Sequence, residues 1–159
     1  MINAIIFDSD DTILDFSSVA CPVIQDVART LNMRIPESDE INKLWGIPLC
    51  LFLKELWHDV DVDKFKKHYY TLIDERSFHE IDGAKKTLRS LYGKYVLGVL
   101  TTKPEQLMVN NFKDAGFDVS LFKFMHGAEH SPYRKPDPKV LDKSLEVLNM
   151  KPERVLYVG

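Results

Sequence analysis

Four short apolar runs along the chain predict the strands of a sheet. They cover residues 4–7, 95–100, 121–125 and 154–158. The first, second and fourth runs lack an alternation of apolar and polar positions, which is typical of strands covered on both faces, as in a parallel sheet packed between helices. We expect the third run to be the weakest of the four strands.

Segments with helical periodicity separate the later apolar runs. They cover residues 84–92, 105–115 and 138–148. A strand therefore alternates with a helix through the second half of the chain, and this order favours right-handed crossover connections. The fold class predicted from the pattern is α/β, with a doubly wound parallel sheet.

The stretch 16–79 has a different pattern, with three helix-like pieces and no convincing strand. Its first and last pieces place apolar residues at helical spacing, which predicts one buried stripe on each. The middle piece, 38–57, is interrupted at Gly46, a residue typical of helix ends. We predict an α-helical subdomain at 16–79, inserted into an α/β core domain formed by residues 1–15 and 80–159.

Composition and charge narrow the class of protein. The 159 residues are 45% hydrophobic and 28% charged, values typical of soluble globular proteins, and the chain is long enough to bury a core. Because 21 basic residues face 24 acidic ones, there is no surplus of positive charge for a nucleic-acid backbone. We expect no nucleic-acid partner.

The apolar runs and the cysteines indicate the cellular location of the protein. No run is long enough to span a bilayer, and no basic residue precedes the first hydrophobic stretch, so we expect no membrane segment and no signal peptide. Cys21 and Cys50 lack a partner motif such as Cys-x-x-Cys, which favours buried thiols in a reducing compartment. The predicted location is cytoplasmic.

Carboxylates follow the first predicted strand, in the run Asp-Ser-Asp-Asp-Thr at 8–12. The carboxyl edge of a parallel sheet is where α/β proteins place their ligands. Residues two apart on an extended backbone face the same side, roughly 6–7 Å apart, so Asp8 and Asp10 could flank one reacting group. One could then attack while the other moves a proton. Acids after a strand also commonly cap the next turn, and the pair alone leaves both interpretations open.

Two further side chains belong to turns at the same predicted edge. Thr101 begins the run Thr-Thr-Lys-Pro after the second strand, where a hydroxyl suits an anionic oxygen or simply caps the next helix. Lys135 stands in the run Arg-Lys-Pro-Asp-Pro, whose two prolines stiffen the chain and can aim a lysine. A solvated loop lysine is the alternative there.

Taken together, these motifs resemble the haloacid dehalogenase (HAD) superfamily, in its branch with a helical cap of the C1 type. The family pattern is Asp-x-Asp-x-Thr after the first strand, a Ser or Thr after the second, and a later Lys. Asp8, Asp10, Thr12, Thr101 and Lys135 match it in that order. The resemblance spans nearly the whole chain, and it implies a HAD-like, Rossmannoid core with the inserted helical segment as its cap.

The resemblance also implies a function, the Mg²⁺-dependent hydrolysis of a small phosphorylated metabolite, as in the phosphoglycolate and sugar-phosphate phosphatases of this family. Asp8 would be the nucleophile that forms an aspartyl-phosphate, and Asp10 the general acid and base. Thr101 and Thr102 would bind a phosphoryl oxygen, while Lys135 would screen the charge between Asp8 and the phosphoryl group. Asp8 and the Asp10 carbonyl would bind the Mg²⁺.

The charge balance leads to the same cation. An ionised Asp8 and a phosphate dianion carry about three negative charges, and Lys135 supplies one positive charge. Like charges about 4 Å apart repel by about 4 kcal/mol at an effective dielectric constant of 20. A hard, oxygen-seeking cation such as Mg²⁺ is therefore expected.

Two positions depart from the family pattern. Asp11 stands where close relatives usually have glycine, although aspartate accepts unusual backbone angles better than most residues. The sequence stops at Gly159, where the family continues into an aspartate and further acids that complete the Mg²⁺ site. For this chain we therefore expect weak Mg²⁺ binding, low or absent turnover, and self-association through an uncovered last strand.

Other functions stay open on the sequence alone. A haloacid dehalogenase shares the nucleophile and cap but does not need an acid such as Asp10, and a phosphomutase uses the same two aspartates. A catalytically inactive remnant would follow from the missing terminal acids. A receiver-type signalling domain would need its acceptor aspartate after a middle strand, where the acids belong to a helical pattern.

Overall fold

Four parallel strands form the sheet of the protein in the computed structural model, which describes residues 1–159. They are β1 (Ala4–Phe7), β2 (Val96–Leu100), β3 (Phe122–His126) and β4 (Val155–Val158). Their order is β3-β2-β1-β4, so β1 is central, with Phe7 opposite both Val99 and Val158. Each predicted strand is confirmed to within one residue of its bounds.

The burial of β1 and β3 accounts for their sequence patterns. Every residue of β1 is buried, as the unbroken apolar run predicts for a strand covered on both faces. In β3, the weakest run, Phe122, Phe124 and His126 are buried and Lys123 is exposed. This strand lies at the edge of the sheet and buries one face, which gives it a period of two.

Ser17–Arg76 form a compact helical unit. It contains α1 (Ser17–Thr30), α2 (Ser38–Lys43), α3 (Leu49–Leu56) and α4 (Val62–Asp74). The stripes of α1 and α4 are buried as predicted, and the two helices contact one another. The middle piece forms two helices, as the predicted interruption at Gly46 indicates, and Gly46 has a left-handed backbone with φ of 96°.

Met1–Phe16 and Ser77–Gly159 form a second compact unit, which holds the sheet. Its α-helices are α5 (Ala84–Leu91), α6 (Glu105–Asp114) and α7 (Asp142–Leu148). The segment predicted as one helix from 138 begins with a 3-10 turn, Pro138–Leu141, and continues as α7. None of the seven α-helices has the length and hydrophobicity needed to cross a bilayer.

Gly98 marks a close approach between two strands. It lies in β2, and the ring of Phe124 from the neighbouring β3 covers the space that a Cβ would occupy. Phe124 belongs to a core cluster that also contains Ile6, Leu100 and Leu148. The absence of a side chain at position 98 therefore lets an aromatic ring pack flat against the sheet.

The edge strand β4 leaves apolar side chains exposed, so the expectation from its unbroken apolar run, a strand covered on both faces, was wrong. Leu156 is 46% and Tyr157 37% accessible, and one edge of the strand has no partner strand. Self-association through this strand stays a prediction, since an open edge offers unpaired backbone groups to a second chain. Light scattering is expected to give a mass above 18.4 kDa that rises with concentration. A monomer mass at every concentration would contradict it.

His126, the last residue of β3, is a buried histidine held in its neutral form. Its Nδ1 lies 2.9 Å from the Ser144 Oγ, and its ring stacks on that of His130 with centroids 4.4 Å apart. Burial, followed by the charges of His130 and Lys143, lowers the pKa of His126 from 6.5 to about 4. The folded protein thus binds this proton less readily than the unfolded chain.

The free energy of unfolding is expected to fall as the pH drops from about 6.5 towards 4, because the unfolded chain protonates His126 first. The contribution of neutral His126 to the free energy of unfolding is fully present above about pH 6.5. About 2 kcal/mol of it is lost as the pH falls to 4, after allowance for solvent screening. Urea midpoints of the unaltered chain and His126→Gln should therefore converge between pH 7 and pH 4.5. The exposed control His58→Gln should keep a constant offset, and a constant offset for His126→Gln would count against the prediction.

Candidate active site

The carboxylate of Asp8 stands directly after β1, at the carboxyl edge of the sheet. The Asp8 N–H donates to the Val158 carbonyl at 2.8 Å, so the backbone of this residue continues the pairing of β1 with β4. The Ser9 N–H donates to Asp8 Oδ1 at 2.7 Å. Both bonds fix the position of the side chain that the family resemblance assigns as the nucleophile.

A tight turn places Asp10 on the same edge. The carbonyl of the fully buried Ser9 accepts the N–H groups of Ile13 and Leu14, each at 3.0 Å. Asp11 adopts a left-handed backbone with φ of 56°, and its Oδ1 accepts the Phe16 N–H at 3.0 Å. The residue that departs from the family pattern is thus accommodated, because aspartate tolerates this conformation.

Lys135 pairs with the candidate nucleophile. Its Nζ lies 2.7 Å from Asp8 Oδ1 and donates to the Leu100 carbonyl, at the end of β2, at 3.0 Å. The same ammonium lies 5.3 Å from the centroid of the Tyr157 ring. Contacts with the ends of three strands therefore hold this lysine against Asp8.

Lys103 pairs with Asp10, and the sequence interpretation gave it no role. Its Nζ lies 2.9 Å from Asp10 Oδ1, and the Ser9 hydroxyl donates to the same oxygen at 3.1 Å. Burial raises the pKa of Asp10 and lowers the pKa of Lys103, and in each case the attraction between the two charges opposes the shift. The sequence carries no direct signal of this pairing, because the turn after β1 and the turn after β2 meet only in the folded chain.

Thr101 and Thr102 lie at the end of the neighbouring strand, β2. Thr101 is buried, its N–H donates to the His126 carbonyl at 3.0 Å, and its Oγ1 accepts the Lys103 N–H at 3.3 Å. Thr102 is exposed. The Thr101 hydroxyl thus orders its own turn, and its assignment as a ligand of a phosphoryl oxygen stays a prediction.

The oxygen atoms of this edge fit a Mg²⁺ ion. The Asp8 carboxylate and the Asp10 main-chain carbonyl are hard oxygen donors. The backbone hydrogen bonds of the turn are accepted by the carbonyls of Ser9 and Leu14, which leaves the Asp10 carbonyl available to a cation. No group of three or more His, Cys, Asp or Glu side chains converges in the structure. The residues present suit a cation held by few protein oxygens, with water and phosphate as further ligands.

Two lysines and three carboxylates give the site its charge. Lys103 and Lys135 each pair with one aspartate, and Asp11 adds a further negative charge. Chemically, the arrangement offers one carboxylate for attack, a second for proton transfer and an ammonium beside each. A divalent cation and an anionic substrate would together balance it.

Comparisons with known proteins place this geometry in a family. Residues 5–159 match the model of the haloacid dehalogenase-like hydrolases. The pyrophosphatase PpaX of Listeria innocua is 25% identical over 165 residues, which cover 99% of this chain and 74% of that protein. The phosphoglycolate phosphatase of Aquifex aeolicus is 26% identical over 164 residues, which cover 98% of this chain and 74% of the relative.

The fold agrees with solved structures. A predicted phosphoglycolate phosphatase from Haemophilus somnus has a TM-score of 0.89 at 20% identity, over 99% of this chain and 76% of that chain. The doubly wound α/β fold predicted from the sequence is thereby confirmed, as is the family resemblance. With the acidic turn after β1 and the family match over residues 5–159, the chain belongs to the haloacid dehalogenase-like hydrolases.

Proposed function

We propose that this protein is a Mg²⁺-dependent phosphatase that hydrolyses a small phosphorylated metabolite through an aspartyl-phosphate. The observation that carries the proposal is the pair of aspartates at the end of β1, each in contact with its own lysine. The names of the pyrophosphatase and phosphoglycolate phosphatase relatives support the same class of substrate. Cys21 and Cys50 form no disulfide bond, which is consistent with the cytoplasm, where we place the reaction.

In the first step, an Asp8 carboxylate oxygen forms a bond to phosphorus while the bond from phosphorus to the ester oxygen breaks. Asp10, in its protonated form, gives its proton to the departing oxygen and releases an alcohol. Lys135, whose Nζ lies 2.7 Å from Asp8 Oδ1, offsets the repulsion between the carboxylate and the phosphoryl oxygens. Thr101 and the Thr102 backbone bind one of those oxygens.

In the second step, the Asp10 carboxylate takes a proton from a water molecule, whose oxygen attacks phosphorus. The bond between phosphorus and Asp8 breaks, which restores the carboxylate and releases inorganic phosphate. General acid and base catalysis of this kind contributes about 10²–10⁴ in rate, or roughly 3–5 kcal/mol. The helical unit, Ser17–Arg76, would serve as the cap that selects the substrate.

A Mg²⁺ ion bound by Asp8 and the Asp10 carbonyl would supply positive charge to the phosphoryl oxygens. Because only these two protein oxygens are assigned to it, calorimetry is expected to give a dissociation constant in the millimolar range. Inorganic phosphate should tighten binding, since it adds oxygen ligands. Micromolar affinity for Mg²⁺ alone would contradict the assignment and point to further protein ligands.

Hydrolysis assays test the proposed function. Pyrophosphate, phosphoglycolate and p-nitrophenyl phosphate would each be offered to the purified chain with Mg²⁺ and again with a chelator. Phosphate release that requires Mg²⁺ supports the proposal, and the preferred compound assigns the substrate class. No release from any of them would overturn it and favour the inactive-remnant interpretation, whereas transfer of the phosphoryl group to a sugar phosphate would favour a mutase.

A further inference from the structure

We propose that Lys103 is a positioning residue that holds the Asp10 carboxylate in the orientation needed for proton transfer, with the inference resting on the proposed phosphatase function. Its Nζ and the Ser9 hydroxyl both contact Asp10 Oδ1, at 2.9 and 3.1 Å. Neither contact uses Oδ2. The tethered oxygen therefore sets the rotamer, and Oδ2 is the oxygen that exchanges the proton with the ester and with water.

An aromatic pair in turn fixes the lysine. The rings of Phe16 and Phe78 stack with centroids 5.6 Å apart and planes within 4° of parallel. Lys103 Nζ lies 3.3 Å from the centroid of Phe16 and 5.6 Å from that of Phe78. A cation over an aromatic face is attracted by the ring, and more strongly when little water screens it. Only 13% of the Lys103 side chain is exposed, so the ammonium has few other positions.

The two phenylalanines border the points where the chain leaves and re-enters the sheet unit. Phe16 is the last residue before α1, and Phe78 follows Ser77, where the chain re-enters that unit. Backbone bonds pair these segments, from the Asp15 N–H to the His79 carbonyl at 3.0 Å and from the Ile81 N–H to the Ile13 carbonyl at 2.8 Å. Backbone hydrogen bonds between the two segments thus hold the aromatic pair that contacts Lys103.

The burial of its charge argues against a purely structural role for Lys103. A charge taken out of water destabilises the fold unless a partner compensates, and an apolar residue of similar length would fill the same space without that cost. Lys103 is held between an aromatic pair and a single acid, which is the acid assigned to proton transfer. The geometry therefore indicates that Lys103 positions the Asp10 carboxylate.

The test compares Lys103→Met, which keeps the length and the ring contacts, with Lys103→Arg, which keeps the charge. Alkyl esters need a general acid because their leaving groups are basic, whereas p-nitrophenolate leaves readily without one. For Lys103→Met, kcat/KM is expected to fall about 10²-fold with ethyl phosphate and about threefold or less with p-nitrophenyl phosphate. Lys103→Arg should recover most of the loss. The exposed control Lys113→Met, on α6, should match the unaltered chain with both esters.

A loss of equal size with both esters would overturn the proposal, since a general structural defect does not discriminate between leaving groups. A second readout is independent of activity. Three-bond NMR couplings from Asp10 Cγ to its backbone nitrogen and carbonyl report χ1 in the metal-free protein. The couplings should indicate a single χ1 rotamer of Asp10 in the unaltered chain and an average over several rotamers in Lys103→Met. Couplings that are the same in the two proteins would also overturn the proposal. If the unaltered chain hydrolyses neither ester, the phosphatase function fails, and the couplings still decide whether Lys103 positions Asp10.

Discussion

The Asp8→Asn variant is expected to hydrolyse p-nitrophenyl phosphate at least about 10³-fold more slowly than the unaltered chain. An amide has nearly the shape of the carboxylate but does not form the aspartyl-phosphate, which is an acyl phosphate, so the two-step route is closed. The side chain can still accept the Ser9 N–H, which donates to Asp8 Oδ1 at 2.7 Å, and the fold should persist. Steady-state release of p-nitrophenolate with saturating Mg²⁺ measures the effect.

The matched control is Asp74→Asn, at the exposed end of α4, which should retain full activity. Rapid quenching with labelled substrate gives a second readout, because the unaltered chain should retain label on protein and Asp8→Asn should not. Turnover by Asp8→Asn within tenfold of the unaltered chain would remove Asp8 from the role of nucleophile. It would then favour direct attack by water on phosphorus.

The Gly98→Ala variant is expected to lose about 2–3 kcal/mol of unfolding free energy. An added Cβ would lie 2.6 Å from Cε1 and 2.7 Å from Cε2 of the Phe124 ring, well inside contact distance. The ring belongs to the core cluster and lies 4.4 Å from the ring of His126, so it has little room to retreat. Urea unfolding followed by circular dichroism measures the loss.

A double-mutant cycle with Phe124→Leu isolates the cause. The smaller, more flexible leucine makes room for the methyl group, so Gly98→Ala should cost at least about 1 kcal/mol less in its presence. Strictly additive losses would show that the cost arises in the backbone of β2 rather than against the ring.

The pattern of apolar positions predicted the elements of the sheet unit well, because burial leaves a direct trace in the sequence. The central strand β1 is covered on both faces and is wholly apolar, whereas β3 is an edge strand with one buried face and gave the weakest run. Where the structure differs, the cause is local geometry. The segment at Pro138, predicted as part of one helix, starts with a 3-10 turn.

The candidate site was predicted in part. Asp8, Asp10 and Lys135 stand in runs that match a family pattern, and the structure brings them to one sheet edge. Lys103 was missed, since its role depends on two turns that meet only in the folded chain. Spacing along a sequence does not reveal that an ammonium from one turn lies 2.9 Å from a carboxylate of another.

The position of β1 between β2 and β4 also has a kinetic consequence. The Asp8 N–H donates to the Val158 carbonyl, so the residue that would attack phosphorus is anchored by a strand that is distant in the sequence. On a ribosome, the helical residues 17–76 emerge as one continuous segment, whereas the central strand must wait for its second neighbour. Pairing between distant segments is slow to form, and the unpaired strand is exposed to other chains during that delay. We expect nascent chains to complete the catalytic edge only after β4 has left the exit tunnel.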